Sequence, residues 1–155
     1  ALDTGAYLSS LFQQLLSPAL LPALTFLIAV LISFATGTSM GTMAIMAAIS
    51  IPMAATMDVS IPLVAGAMFG GSIFGDHCSP ISDTTIMASA GAQCDHVSHV
   101  NTQLPYAITG AAVSFVTYIF AGFVPNAFIA LPVGIVLMIA TLIVMKKVMG
   151  QKATA

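Results

Sequence analysis

Long apolar runs separated by short polar stretches organise the chain. A bilayer core is about 30 Å thick, so a helix that crosses it needs about 20 mostly apolar residues. Two runs near the end of the chain, 104–123 and 127–146, have about that length, and the turn-like sequence Val124-Pro125-Asn126 joins them. This pattern predicts a transmembrane hairpin.

Three further apolar runs are shorter and are bounded by polar residues. They predict helices over about 18–35, 43–57 and 61–75. A polar break at 36–42 separates the first two helices, and a longer polar region at 76–103 follows the third. Helices this short do not cross a bilayer comfortably on their own, and backbone freed by a break at membrane depth must lie against protein or a cavity. The pattern therefore favours discontinuous or re-entrant helices.

The composition agrees with a membrane protein. Of the 155 residues, 59% are hydrophobic and only 5% are Asp, Glu, Lys or Arg, whereas about 25% are charged in an ordinary soluble domain. A formal net charge of −2 lacks the basic surface that nucleic-acid binding requires, so nucleic acid is excluded as a partner. The predicted fold class is an all-α polytopic integral membrane protein with membrane lipid around it.

Glycines in the third apolar run form two consecutive units, Gly66 to Gly70 and Gly71 to Gly75. Glycines four residues apart lie on one face of a helix and let a neighbouring backbone approach closely. A tight helix-packing seam is the simpler interpretation of these units, and direct contact with a transported solute is the alternative.

The first polar break is rich in hydroxyl groups. Their oxygens, with the carbonyl oxygens freed by the break, could replace part of the water shell of a small hard cation. The alternative is a kinked helix whose Ser and Thr side chains bond back to its own carbonyls. The candidate ligands here are Thr36, Thr38 and Ser39.

The second polar stretch carries three ionisable side chains within eight residues, Asp76, His77 and Asp83. An ionisable side chain in hydrocarbon costs at least about 2.5 kcal/mol, so such residues usually mark ion or proton paths. Pro80 prevents a regular helix through this stretch, and the alternative to an ion path is an exposed polar loop.

Neutral oxygens surround these carboxylates, and the candidates are Ser79, Ser82 and Thr84. Two carboxylates with hydroxyl groups make a site for sodium, so Asp76 and Asp83 are the predicted sodium ligands. A carboxyl group removed from water favours its neutral form, so protons would compete with sodium for the site. That competition is sufficient for exchange if the site opens to one side of the membrane at a time.

A third cluster, Cys94 to His99, holds most of the remaining Cys and His residues. A zinc site built from Cys78, Cys94, His96 and His99 would make the chain a metal-binding membrane module, but no Cys-x-x-Cys spacing supports it. Histidine titrates near neutral pH, so His77, His96 and His99 are candidates for pH sensing at an aqueous boundary. No nucleophile-and-base arrangement is recognisable, and no enzyme activity is expected.

Two motifs resemble the NhaC family of sodium/proton antiporters. They are Gly75-Asp-His-Cys-Ser-Pro-Ile-Ser-Asp-Thr-Thr85, continued by Cys94-Asp-His-Val-Ser-His-Val-Asn-Thr-Gln-Leu-Pro-Tyr106, and the upstream Phe34-Ala-Thr-Gly-Thr-Ser-Met-Gly-Thr42. The resemblance implies a multi-pass secondary active transporter of the bacterial inner membrane that exchanges sodium for protons. This chain would be its C-terminal part. The missing N-terminal part and a second copy in a homodimer are the expected partners, and no cofactor is expected beyond transported sodium and protons.

The resemblance also implies an architecture and site residues. Transporters of this kind are built from inverted repeats, with binding near the midplane at discontinuous helices, and this chain would form one half. Asp76 and Asp83 match the two aspartates of the family motif, and Ser79, Ser82 and Thr84 match its hydroxyl positions. Similar sequences include malate–lactate antiporters. Because the chain has no Arg, an organic acid would need a helix N-terminus or a cation to bind it.

Overall fold

The computed structural model describes residues 17–124 and 126–152, and Pro125 of the predicted turn lies outside the described residues. The described residues form helices and no strands, which confirms the predicted all-α class. The elements are a 3-10 turn at Pro18–Leu20 and the helices α1 (Leu21–Thr36), α2 (Ser39–Thr56), α3 (Ile61–Cys78), α4 (Asp83–Gly91), α5 (His96–Phe123) and α6 (Ala127–Lys152).

Four helical segments are long and apolar enough to cross a membrane, which confirms a polytopic membrane protein. They are Pro18–Thr36, Ser39–Thr56, His96–Phe123 and Ala127–Lys147. Helix α3 is not among them because its apolar run ends in glycines and polar residues. It lies between α1 and α2 and buries Val64, Ala67 and Met68 against them.

Glycine lets α1 and α3 pack closely. A Cβ atom at Gly75 would touch the carbonyl oxygen of Val30 and would lie 2.8 Å from the Cβ of Ser33, and a Cβ at Gly71 would touch the carbonyl oxygen of Phe26. Gly66, in contrast, has no neighbour within 4 Å of a Cβ built on it. The packing seam is therefore confirmed for the second glycine unit, which faces α1.

Helix α5 packs across α1 and α3, and α6 packs against α5. The hydroxyl of Tyr118 donates a hydrogen bond of 3.0 Å to the carbonyl of Gly66, and its ring centre lies 5.3 Å from that of Phe26. These contacts attach the final hairpin to the α1–α3 pair that carries both helix breaks.

The first break is shorter than predicted. Helix α1 continues to Thr36 and α2 begins at Ser39, so only Gly37 and Thr38 lie outside a helix. Gly37 takes a left-handed conformation (φ 67°) that ends α1. Thr38 then caps α2, because its hydroxyl accepts a hydrogen bond from the N–H of Gly41 at 3.4 Å.

The second break, predicted over the polar region 76–103, is also shorter than predicted. Helix α3 runs to Cys78, α4 occupies part of the region, and α5 begins at His96 rather than at residue 104. Two capping residues explain the difference: Ser82 accepts from the N–H of Thr84 at 3.2 Å, and Asp95 accepts from the N–H of Ser98 at 2.8 Å. Polar residues here begin helices. The true break between α3 and α4 is the four residues 79–82.

Candidate functional site

The two helix breaks contact each other. A Cβ atom at Gly37 would lie 2.9 Å from the carbonyl oxygen of Ile81, so the first break rests directly on the backbone of the second. Beside this contact, the buried hydroxyl of Ser33 donates a 2.5 Å hydrogen bond to the carbonyl of Ser72. The fold therefore places the polar parts of α1–α2 and α3–α4 in one region.

Asp76 is the buried acid of this region. It lies in the last turn of α3 and is only 5% exposed. Its Oδ1 atom accepts a hydrogen bond of 2.7 Å from the hydroxyl of Ser82, which is itself fully buried. A charge-assisted hydrogen bond of this kind is stronger than a neutral one, so Ser82 stabilises the ionised carboxylate.

Hydrogen bonds continue from Asp76 toward the surface of the chain. A hydroxyl has one hydrogen to donate, and the hydroxyl of Ser82 donates its hydrogen to ionised Asp76. The contact of 2.7 Å between Ser82 Oγ and Thr84 Oγ1 must then be donated by Thr84. When Asp76 is protonated, the direction of both bonds can reverse. The three side chains form a hydrogen-bonded chain from a buried carboxyl to the exposed Thr84.

Ser79 supplies an unused oxygen in the same break. Its side chain is fully buried, and its Oγ atom has no hydrogen-bond partner among the described residues. A buried polar atom without a partner costs about 1–3 kcal/mol, and such atoms are rare in native structures. The Ser79 hydroxyl follows Asp76 by three residues and is available as a ligand oxygen.

Asp83 has different surroundings. It lies in the first turn of α4 and is exposed, and its carboxylate has no recorded hydrogen bond within the described residues. An acid at that position is stabilised by the helix dipole. The structure thus separates the two aspartates of the motif into one buried and one exposed carboxylate, and joint binding of sodium stays a prediction.

The hydroxyls of the first break are mostly engaged locally. Thr36 donates to the carbonyl of Ile32 at 2.8 Å, and Thr42 donates to the carbonyl of Thr38 at 2.8 Å. Thr38 is exposed and caps α2, while Ser39 is half-buried in its first turn. Back-bonding, the alternative named above, therefore describes Thr36 and Thr42, and a role of the first break in cation binding stays a prediction.

The predicted pH-sensing histidines lie around the second break. His96 Nε2 is 2.7 Å from the carbonyl oxygen of Pro80, and His96 Nδ1 is 3.0 Å from the hydroxyl of Ser89. His77 is exposed and His99 is half-buried. His77 and His99 line the same cavity of about 230 Å³. Its other lining residues are Thr84, Thr85, Ala88 and Gln103.

The proposed zinc ligands are not brought together. Cys78 is buried and Cys94 is exposed, and both are free thiols. Within residues 17–124 and 126–152, no group of three His, Cys, Asp or Glu side chains is arranged to share a metal ion. Nothing in the described residues supports a metal-binding module.

Gln103 is the residue that sequence reasoning missed. Its Nε2 atom donates to the carbonyl oxygen of His77 at 3.1 Å. Gln103 lies inside the motif quoted above, but a single glutamine suggested no chemistry there. The signal that could have found it is its spacing of seven residues from His96, which places both on one face of a helix.

Comparison with known proteins identifies the family of the chain. A sequence model described as the Na+/H+ antiporter family matches residues 1–123. The chain belongs to this family. The match ends at the last residue of α5, so both breaks of this antiporter-family chain lie inside it. Members of the family are named for antiport, which is a transport activity.

Curated relatives support the same assignment. A protein of Haemophilus influenzae named only as uncharacterized is 45% identical over 124 residues, covering 79% of this chain and 24% of the relative. A second protein of that organism, an uncharacterized Na(+)/H(+) antiporter, is 36% identical over 107 residues, covering 66% of this chain and 23% of its own length. The Malate-2H(+)/Na(+)-lactate antiporter of Bacillus subtilis is 33% identical over 110 residues, covering 71% of this chain and 24% of its own length.

The chain therefore spans about a quarter of the length of the curated relatives it matches. No solved structure matches it.

Proposed function

We propose that this chain is part of a secondary active transporter that exchanges sodium ions for protons, and that the two bind in turn at the carboxylate of Asp76. One observation carries the proposal: the single buried acid of the described residues lies where two helix breaks meet. Membership of the Na+/H+ antiporter family supports it.

The side chains around Asp76 suit sodium. Small hard cations bind oxygen ligands, with carboxylates, hydroxyls and carbonyls in any combination. Asp76 supplies one negative charge, which matches one sodium ion, and the buried hydroxyls of Ser79 and Ser82 supply neutral oxygens. The Ser79 oxygen has no partner to give up among the described residues. Sodium binding would therefore satisfy an atom that the described residues leave unsatisfied.

Protons compete for the same carboxyl group. Burial in a medium of low polarity disfavours a charged carboxylate unless a cation compensates it. A site that holds either a proton or sodium, and faces one side of the membrane at a time, exchanges one for the other. Asp83 would join the site only if the remaining three quarters of the transporter covers α4, where Asp83 is now exposed.

The test is sodium-driven proton movement in everted vesicles that contain the full-length transporter, followed with a pH-sensitive dye. We expect Asp76→Asn to abolish exchange and Asp83→Asn to weaken it. Asp95→Asn is the matched control, since Asp95 is an exposed cap of α5 and Asn also caps helices well. Exchange by the Asp76→Asn protein at the rate of the wild type would refute the assignment.

A second candidate function is sodium- and proton-coupled exchange of an organic acid. The name of the Bacillus subtilis relative favours it. The cavity that His77, His99 and Gln103 line beside Thr84 favours it as well, because these side chains can donate hydrogen bonds to a carboxylate. Accumulation of labelled malate or lactate, driven by a sodium gradient, separates this function from exchange of sodium alone.

The proposal requires the missing part of the transporter as a partner and the bacterial inner membrane as the location. A homodimer stays a prediction, and the mass of the full-length protein purified in detergent tests it.

A further inference from the structure

The break between α3 and α4 frees backbone carbonyl oxygens that a continuous helix would have used. Such oxygens must find other donors when they lie inside a membrane protein. Two of them accept side-chain hydrogen bonds from α5. His96 Nε2 lies 2.7 Å from the carbonyl oxygen of Pro80, and Gln103 Nε2 lies 3.1 Å from the carbonyl oxygen of His77.

His96 and Gln103 are two helical turns apart and therefore lie on the same face of α5. We propose that this face is a clamp, in which His96 and Gln103 are positioning residues that fix the backbone of the break and thereby the oxygens around Asp76. The clamp is defined by these two side chains. It deepens the proposed function, because its effect on transport rests on Asp76 being the exchange site.

The position of Pro80 makes the His96 contact important. Pro80 lies between Ser79, whose hydroxyl is buried without a partner among the described residues, and Ile81, whose carbonyl oxygen meets Gly37. Holding the carbonyl of Pro80 therefore holds both the candidate ligand oxygen and the contact between the two breaks. Proline also has no N–H to anchor this part of the backbone, so the carbonyl is the group through which it can be fixed.

The hydrogen bond from His96 to Pro80 does not require one particular charge state of the imidazole. A carbonyl oxygen can only accept, so Nε2 carries a hydrogen. At the other nitrogen, Ser89 Oγ lies 3.0 Å from Nδ1 and 2.9 Å from the carbonyl oxygen of Ile86. If the ring is neutral, Ser89 donates to Nδ1. If the ring is protonated, Nδ1 donates to Ser89, which then donates to Ile86. Nε2 donates to Pro80 in both cases.

These hydrogen bonds distinguish a clamp from a pH sensor. The described residues contain no recorded hydrogen bond or ion pair between His96 and another titratable side chain. The carboxylate of Asp95, its neighbour in sequence, instead accepts from the N–H of Ser98 at 2.8 Å. The role of His96 thus follows from its N–H donor at Nε2 and its position on α5. Another side chain with an N–H at a similar position should therefore retain the function of the clamp.

The experiment compares His96→Leu, which removes the donor, with His96→Gln, whose amide places an N–H near the position of Nε2. The full-length transporter is used, and Asn101→Leu, at an exposed position of the same helix, is the control. We expect His96→Leu to raise the sodium concentration for half-maximal exchange about tenfold, as loss of one good hydrogen bond would, with a smaller change in maximal rate. His96→Gln should restore the wild-type value and keep the wild-type pH profile.

A second measurement does not depend on transport. Backbone hydrogen exchange in peptides that cover residues 79–82 should be faster in His96→Leu than in the wild type or in His96→Gln. Gln103→Leu should show a weaker form of the same effect, since Thr85 Oγ1 also contacts the carbonyl of His77 at 3.4 Å. Gln103→Leu also serves as the test variant if His96→Leu does not fold.

The outcomes separate the clamp from the proposed function. A wild-type transporter without sodium/proton exchange refutes the proposed function, and hydrogen exchange then decides the clamp by itself. Equal hydrogen exchange in all variants refutes the clamp. A His96→Gln protein that behaves like His96→Leu, or that loses the pH dependence of the wild type, also refutes it and identifies the imidazole itself as the required group.

Discussion

Replacing Gly75 with Ala tests whether the close packing of α1 on α3 supports the site. A Cβ atom at this position would touch the carbonyl oxygen of Val30 and would lie 2.8 Å from Ser33 Cβ and 2.9 Å from the backbone nitrogen of Phe34. All three atoms belong to backbone or to a Cβ, so no flexible side chain can move aside. The two helices must separate instead.

The size of the effect follows from two opposed terms. Carbon atoms pack at about 3.5–4.0 Å, so a separation of about 1 Å is needed, and overpacking of this kind costs typically 1–3 kcal/mol. Replacing a helical Gly with Ala returns about 0.8–1.0 kcal/mol. We therefore expect a net loss of about 1 kcal/mol, and at most about 2 kcal/mol, for Gly75→Ala. Because Asp76 is the next residue, sodium/proton exchange should fall as well.

Gly66→Ala is the matched control. The same substitution in the same helix meets nothing within 4 Å, so only the gain of about 0.8–1.0 kcal/mol remains. The assay is the temperature at which the full-length protein in detergent loses its monodisperse peak on size-exclusion chromatography after heating. The expected order is Gly66→Ala at or above the wild type and Gly75→Ala below it. A Gly75→Ala protein as stable as Gly66→Ala would show that the packing argument is wrong.

Two further predictions concern the breaks. Gly37→Ala should destabilise the same protein by at least about 1–2 kcal/mol in the heating assay, because a left-handed conformation costs a side-chain-bearing residue about that much and the new Cβ would meet the carbonyl of Ile81 at 2.9 Å. Ser79→Ala should keep or raise stability without sodium, since the buried hydroxyl that it removes has no partner among the described residues, but it should reduce the stabilisation that added sodium gives. Equal stabilisation by sodium in Ser79→Ala and wild type would remove Ser79 from the proposed ligands.

The apolar runs were sufficient to predict the helices, because a bilayer imposes their length and composition. They were insufficient for residues 76–103, because a polar residue can either lie in a loop or cap a helix. Ser82 and Asp95 could belong to a loop or could cap a helix, and the structure shows that they cap α4 and α5. Capping depends on the local backbone conformation, which a composition argument does not see.

The candidate site shows a second limit. Asp76 and Asp83 belong to one motif and looked equivalent in sequence, yet one is 5% exposed and the other is on the open side of α4. The difference comes from the break between them, which changes the direction of the chain. The meeting of Gly37 with Ile81 and the reach of Gln103 to the second break are tertiary contacts between distant parts of the sequence, and no local pattern encodes them.

The contact between Gly37 and Ile81 also restricts how a transport cycle can work. The two backbone segments leave no room for a Cβ atom between them, so we expect the interrupted helices to move together as one body. If the proposed site opens alternately to the two sides of the membrane, we expect the gate to lie where this body meets the rest of the transporter.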